Sequence, residues 1–435
     1  MTEFIIAVFI LQFLLILRYF TNGIKRYGFN FKNGLAFGVL YFIFIPLWVL
    51  IITGKIPLVK TDFGRTTLSD VVLIRDIKAS WILIAYLFSF ILYLYFSKPL
   101  KVPDKIPFKP RFRAYFILYF LITLVILVGS GLLKGGNWYD SRHQFMVQRG
   151  AFAVLLIYLR STIKILIIAS FVYLWLKGKL SAKKYFLYVF GFTLLDMFLT
   201  GNRIYIFTAL VITAIVLIKR RPVLYLTGLP VLLPVVYYVG YFLSIFRHIR
   251  GPLFAKGIPT FEVFMAAFRR AVRLNPPELS SFFLNISESV NVNVLYDIFN
   301  RYRHILYGAT YLKLFIFYIP RSVWPSKPES ITKIAGHFFG AGGSLVTTLF
   351  GELHMNFLYV GIFLLPFLLF FTEYILYKIK VRSELVNYVH FIFGILIFRM
   401  PYSDEMIIYL FLIILVYLLN IKFVHGHKAK RVQHG

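Results

Sequence analysis

The chain contains no cysteine, which excludes disulfides, thiol catalysis and any Cys-based metal site. Acids are scarce, with 17 Asp and Glu against 48 Lys and Arg. No Asp-x-Asp pair and no His/Glu ligand spacing occurs in the segments assigned below to the outer side, so metal catalysis is not expected. A P-loop, a dinucleotide-binding fingerprint and a G-x-S-x-G nucleophile elbow are all missing. No internal repeat is evident, which weighs against inverted-repeat transporters, and no low-complexity tract or soluble domain interrupts the chain.

What is present is apolar. With 60% hydrophobic residues, a mean hydropathy of +0.78 and 49 Phe, a soluble fold would have to bury nearly everything, and a polytopic membrane protein is expected instead. Runs of the roughly 17–25 mostly apolar residues that a membrane-crossing helix needs lie near 4–20, 34–54, 79–97, 114–133, 151–176, 185–200, 204–218, 223–245, 346–376, 385–400 and 406–421. The expected architecture is an all-α, single membrane domain over 1–435 with about eleven spans. The first run has neither a basic n-region nor a small-residue cleavage site, which reads as a retained helix.

Every second connection is densely basic: Lys25, Arg26 and Lys32; Lys98, Lys101, Lys105, Lys109, Arg111 and Arg113; Lys177, Lys179, Lys183 and Lys184; Lys219, Arg220 and Arg221; Lys378, Lys380 and Arg382; Lys428, Lys430 and Arg431. The positive-inside rule places all of these in the cytoplasm, with the N-terminus outside and the C-terminus inside. The net charge of +31 follows in part from this asymmetry. It calls for anionic lipid headgroups and not for nucleic acid.

The outer connections are then 54–78, 134–150, the tight turn 201–203, a long region of about a hundred residues within 246–345, and 400–405. Loops of that length are generally functional or carry their own structure. Within it, Pro259–Arg273 sets Phe261, Phe264, Met265 and Phe268 opposite Arg269, Arg270 and Arg273, the pattern of an interfacial helix. Ile305–Tyr318 is too short to span and reads as a helix on, or dipping into, the membrane.

Lys and Arg should be rare outside, yet Arg142, Arg149, Arg203, Arg247, Arg250, Arg301, Arg303, Arg321, Lys327, Lys333 and Arg399 fall there. Guanidinium forks match phosphate oxygens and stay charged at any pH. Snorkelling to headgroups is the competing reading for each, but Arg203, Arg250 and Arg321 read as functional. Arg203 sits in a Thr-Gly-Asn-Arg turn that pins its side chain at the boundary. Arg321 is stiffened by Pro320 and by Trp324-Pro325.

Inside the spans, Arg160 and Lys164 lie one turn apart with Asp196 as the obvious partner, a pairing at least as suited to organising the bundle as to binding substrate. Glu352 and Asn356 share a helical face at i, i+4, with Gly361 permitting close helix contact below them. A carboxylate shielded from water can act as a general base; a bond to an arginine as structural glue is the alternative. His337 and His354 are weaker candidates, and Asp404 and Glu405 are expected to pair with Arg399.

Tyr-Ile-Pro-Arg at 318–321, Trp-Pro-Ser-Lys-Pro at 324–328, a Gly-rich stretch, and Gly351-Glu352 followed by Asn356-Phe357 and Gly361 resemble the Wzy-type oligosaccharide repeat unit polymerases of O-antigen and capsule synthesis. The 201–203 turn, the large outer loop and the late Arg399 extend the resemblance. About sixty residues carry its specific motifs. The resemblance implies a GT-C-like, metal-independent, inverting membrane glycosyltransferase of the cell inner membrane, without a cofactor. It would polymerise undecaprenyl pyrophosphate-linked oligosaccharide, both donor and acceptor, into O-antigen or related surface polysaccharide at the periplasmic face. Membrane lipids and a chain-length-regulating co-polymerase are the implied partners. Glu352, Arg321 and Arg203 are the implied catalytic positions, with Arg250, Arg247, Lys327, His337, Asn356 and Arg399 around the substrate pyrophosphate and sugars. An O-antigen ligase would share fold and donor and differ in acceptor; a lipid-linked oligosaccharide flippase or other transporter is the alternative of another class.

Overall fold

The computed structural model describes residues 2–53, 60–61, 64–65, 76–96, 98–100, 111–129, 138–200, 204–220, 234, 237–238, 240–241, 260–274, 288–319, 323–340, 345–378 and 384–415. Apart from a two-residue antiparallel ladder (60–61 with 64–65), the described elements are helical. In chain order these are α1 Thr2–Tyr27, α2 Phe31–Thr53, α3 Ile77–Phe96, α4 Phe112–Gly129, α5 Trp138–Leu176, α6 Ala182–Thr200 and α7 Ile204–Arg220. There follow α8 Phe261–Leu274, α9 Val290–Arg301, α10 Ala309–Ile316, α11 Ile331–Phe338, α12 Thr348–Phe357, α13 Val360–Lys378, α14 Leu385–Leu396 and α15 over 402–415.

Six stretches among the described residues are long and apolar enough to cross a bilayer: α1, α2, α3, α4, the 152–176 part of α5, and α13. That is the makeup of a multi-pass α-helical membrane protein. The other expected spans differ for definite reasons. α6 carries Lys183, Lys184 and Asp196, α7 has 17 residues, at the lower limit for a crossing, and α14 has 12. The expected run 223–245 falls almost wholly outside the described residues, as does the end of 406–421. The run 346–376 is two helices and not one, because Leu358 takes up φ 48° and ends α12 before α13 begins.

The core is a continuous apolar cluster running through α1, α2, α3, α5, α9, α12, α13 and α14. Glycine sets its closest approach. A Cβ on Gly34 would stand 2.2 Å from the Phe391 carbonyl oxygen, and one on Gly394 would stand 2.6 Å from the Phe31 carbonyl oxygen. Gly34 and Gly38, four apart on α2, thus let α14 lie backbone to backbone against it, the small-xxx-small geometry favoured where lipid supplies no hydrophobic drive. α2 also contains a π turn at Leu40–Phe44 directly before Pro46. Proline lacks the N–H and crowds the carbonyl four residues back, so the wider turn relieves that clash.

Lys32 departs from the expectation that it belongs to a solvated basic loop. It is fully buried in the first turn of α2, 3.7 Å from the Glu373 carboxylate of α13, and its ammonium donates to the Tyr93 carbonyl at 3.1 Å. Tyr93 completes the site by donating to Glu373 at 3.0 Å. The stretch expected to form an interfacial helix is helical over Phe261–Leu274 as α8. Arg269, Arg270 and Arg273 are exposed, Phe264 stacks on Phe268, and Phe261 is left outside the packed face.

Candidate functional site

The expected trio in the α5–α6 pair is assembled as the spacing suggests. Asp196 accepts from Arg160 at 2.7 Å on one oxygen and from Lys164 at 3.1 Å on the other. Tyr119 of α4 donates to the same carboxylate at 2.7 Å, and the Arg160 guanidinium also donates to Thr123 Oγ1 at 2.9 Å. Lys164 lies 4.0 Å from the Tyr205 ring centroid. Two cations, one anion and the surrounding hydroxyls satisfy one another, as an interhelical joint requires.

Glu352 is built differently. α12 is buried along its whole length from Thr348 to Asn356, so the carboxylate has no route to bulk water along its own helix. Oε1 accepts from Thr310 Oγ1 at 3.2 Å and Oε2 from the Ser403 backbone N–H at 3.3 Å. No cation pairs with it among the described residues, so structural glue to an arginine is not what this residue does there. Asn356 Nδ2 donates to Thr310 Oγ1 and to the Glu352 carbonyl, each at 2.8 Å. Glu352 and Asn356 thus share a helical face as expected, and Thr310 of α10 bridges their side chains.

The strand-like segment before α10 is clamped onto the end of α12. Leu306 N–H donates to the Met355 carbonyl and Tyr307 N–H to the Asn356 carbonyl, both at 3.1 Å. Tyr311 stacks on Phe357, and its other side meets the edge of Tyr402. Gly361 fits the close contact expected of it, since a Cβ there would meet Tyr86 Oη at 2.6 Å and the Leu353 carbonyl at 2.8 Å.

The turn that leads into α15 supplies the opposite wall. Asp404 pairs with Lys313 of α10 and accepts from Tyr158 Oη of α5 at 3.1 Å. Burial works against charge on Lys313, but the adjacent Asp404 carboxylate outweighs it and raises the ammonium pKa. Arg399 pairs with Glu288 at 3.1 Å, and Glu405 is fully buried with neither oxygen hydrogen-bonded. The expected pairing of both acids with Arg399 is thus corrected. Asp404 is taken by Lys313 and Tyr158 and Arg399 by Glu288, partners far along the chain that no local spacing shows.

Backbone strain gathers around the same place. Among the described non-glycine residues, positive φ occurs at Glu288, Tyr307, Thr348 and Leu358. For a β-branched residue such as Thr348 this is a true outlier, and each such residue costs on the order of 1–3 kcal/mol, a strain usually kept where function needs it. Buried polar atoms left without a partner include Asn356 Oδ1, Tyr311 Oη, the Thr347 and Thr348 hydroxyls and both ring nitrogens of His354. His354 is held between the rings of Phe299 and Tyr359.

Of the other expected positions, Lys327 is half-buried and donates to the Phe317 and Ile319 carbonyls at 2.9 Å. His337 is exposed on the last turn of α11. Arg203, Arg247, Arg250 and Arg321 lie outside the described residues. Thr310, Ser403 and the Lys313–Asp404 pair are additions that sequence reasoning passed over. Lys313 gave a signal, as a lone cation in an apolar stretch. Among the described residues no group of three or more His, Asp or Glu is placed to hold a metal ion.

No family model matches the chain, and comparison with curated proteins and with solved structures returned no match.

Proposed function

We propose that this chain is a membrane glycosyltransferase that joins undecaprenyl pyrophosphate-linked oligosaccharide repeat units into O-antigen or a related surface polysaccharide. On this reading the fold is GT-C-like with about eleven spans. It sits in the cytoplasmic membrane with its N-terminus outside, and region 246–345 forms most of the periplasmic face. The observation that carries the proposal is Glu352: a fully buried carboxylate, oriented by Thr310 and the Ser403 N–H, paired with no cation among the described residues and flanked by positive-φ Thr348 and Leu358. A carboxylate so enclosed is costly and usually has a task.

In the proposed reaction a sugar hydroxyl of the acceptor attacks the anomeric carbon of the donor. The new glycosidic C–O bond forms as the bond to the pyrophosphate oxygen breaks, with inversion at that carbon. Glu352 takes the hydroxyl proton, and undecaprenyl pyrophosphate departs as an anion. Positioned guanidinium groups stabilise charge that develops on a leaving group without a metal. Arg203 and Arg321 are assigned that role by the motif they occupy, and Arg247, Arg250, Lys327 and Arg399 are assigned to holding the diphosphate. Asn356 Oδ1 and Tyr311 Oη, buried and unpartnered, are suited to sugar hydroxyls. His337, exposed at the rim, is assigned to the sugars of the incoming chain.

The test is to delete the gene and resolve the cell-surface glycan on a gel. Anchor carrying a single repeat unit is the expected outcome. Loss of every repeat, with precursor held inside, would reassign the chain to export. Polymer made but left unattached would reassign it to ligation.

A further inference from the structure

A second feature shares no residue with the Glu352 site and does not depend on the activity proposed for it. The last turns of α1 and α7 converge on the start of α14 and the end of α5. Together they enclose a cavity of about 460 Å³ whose rim carries Lys25, Arg26, Lys219 and Arg220. Among the described residues Glu384 is the one carboxylate in the lining, and it is engaged by Lys177 at 2.8 Å. Lys25 and Arg26 are exposed and form no ion pair among the described residues. Lys219 reaches the Ile24 carbonyl at 3.5 Å, and the Arg220 guanidinium stands 5.1 Å over the Trp175 ring. The rim is thus held by two helices that meet there, and its charge is not cancelled.

Cations at helix C-termini are ordinary complements of the helix dipole. Here, however, two such ends line one cavity that also takes the N-terminal end of α14, whose backbone N–H groups favour an anion. The floor is apolar and aromatic, with Phe29, Leu176, Val216 and Tyr388. The position is informative too: Tyr27 and Leu176, the last residues of two candidate spans, both line the cavity. It therefore lies at the level of lipid headgroups, where basic pockets between membrane helices recognise phosphates. We infer that this cavity is a binding site for an anionic phospholipid, its phosphate held by Lys25, Arg26, Lys219 and Arg220 and its apolar part on the Phe29–Leu176 floor.

The purified full chain in neutral detergent would be titrated with phosphatidylglycerol, phosphatidylcholine or inorganic phosphate, and bound lipid counted by native mass spectrometry. Phosphatidylglycerol is expected to bind at least about tenfold more tightly than phosphatidylcholine. The pairs Lys25→Gln/Arg26→Gln and Lys219→Gln/Arg220→Gln are each expected to weaken it on the order of tenfold, as loss of two charges near a headgroup implies. The control pair Lys183→Gln/Lys184→Gln, exposed at the start of α6 and outside the cavity lining, should leave it unchanged. Because two separate pairs line the cavity, misfolding of one, seen by size exclusion, leaves the other to decide. Equal losses from the control pair, or no loss from a folded cavity pair, would overturn the site. Displacement of phosphatidylglycerol by millimolar inorganic phosphate would reassign it to a soluble phosphate.

Discussion

Asp196 and Glu352 are both buried carboxylates on helices of one membrane protein, yet their surroundings share almost nothing. Asp196 is met by two cations and a tyrosine hydroxyl from neighbouring helices, and every partner is within 3.1 Å. Glu352 has a threonine hydroxyl and one backbone N–H, no cation among the described residues, and strained backbone on both sides of it. The first arrangement cancels charge and ties helices together. The second leaves a carboxylate oriented but not neutralised, which is the state a proton acceptor requires. Burial alone would have ranked the two alike; the partners distinguish them. Glu373, paired with Lys32 and Tyr93, belongs with Asp196.

The comparison can be broken most forcefully at Asp196. Asp196→Ala leaves Arg160 and Lys164 buried and unpaired, and breaking a buried ion pair costs about 3–5 kcal/mol. The expected result is a large fall in folded protein, read as yield after size exclusion and as the thermal unfolding midpoint. Replacing Arg160, Lys164 and Asp196 together with Met, Met and Leu should restore most of that stability, because well-packed apolar groups often do as well as a buried ion pair. Polymer made by the triple variant would mark the trio as structural, and a stable but inactive triple variant would move it into the site.

Asp404→Asn comes next. It removes the charge partner of the mostly buried Lys313, and a hydrogen bond to a charged group is worth about 1.5–3 kcal/mol. Loss of that order should appear in thermal unfolding, and Lys313→Met in the same background should recover part of it. Thr310→Val follows, at about 1 kcal/mol for each of the two hydrogen bonds it removes, to Glu352 and from Asn356. It sharpens the contrast all the same, because it loosens Glu352 without touching its charge. Polymer yield is expected to fall by more than the stability change explains. The smallest effect is reserved for Lys333→Ala. Its pair with Glu329 is exposed at i, i+4, and such pairs are worth about 0.3–0.5 kcal/mol, so neither unfolding nor polymer should change measurably.

Much of this was legible in the sequence wherever the relevant partners lie close along the chain. The helical, membrane-spanning class follows from apolar runs, and Arg160 with Lys164 follows from a one-turn spacing. The same holds for Glu352 with Asn356 and for the amphipathic stretch that forms α8. What escaped was long-range or conformational. Thr310 and Ser403 reach Glu352 across 42 and 51 residues, and no local pattern announces that. The break at Leu358 has neither proline nor glycine at it, so hydropathy runs straight through. A lone lysine near a span end normally belongs to a loop, and nothing local sets Lys32 apart from that pattern. Its true partner, Glu373, is more than three hundred residues away in the chain.

The most direct test sets the conservative variants Glu352→Gln and Asp196→Asn side by side, each scored for folded protein in the membrane and for surface polymer. Glutamine keeps the shape and an acceptor for the Ser403 N–H but cannot take up a proton. The account predicts that Glu352→Gln leaves folded protein near the wild-type level and cuts polymer by about 10²–10⁴-fold, the range for a lost general base, while Asp196→Asn lowers polymer only in proportion to folded protein. Wild-type polymer from Glu352→Gln, or a loss of fold equal to that of Asp196→Asn, would contradict it.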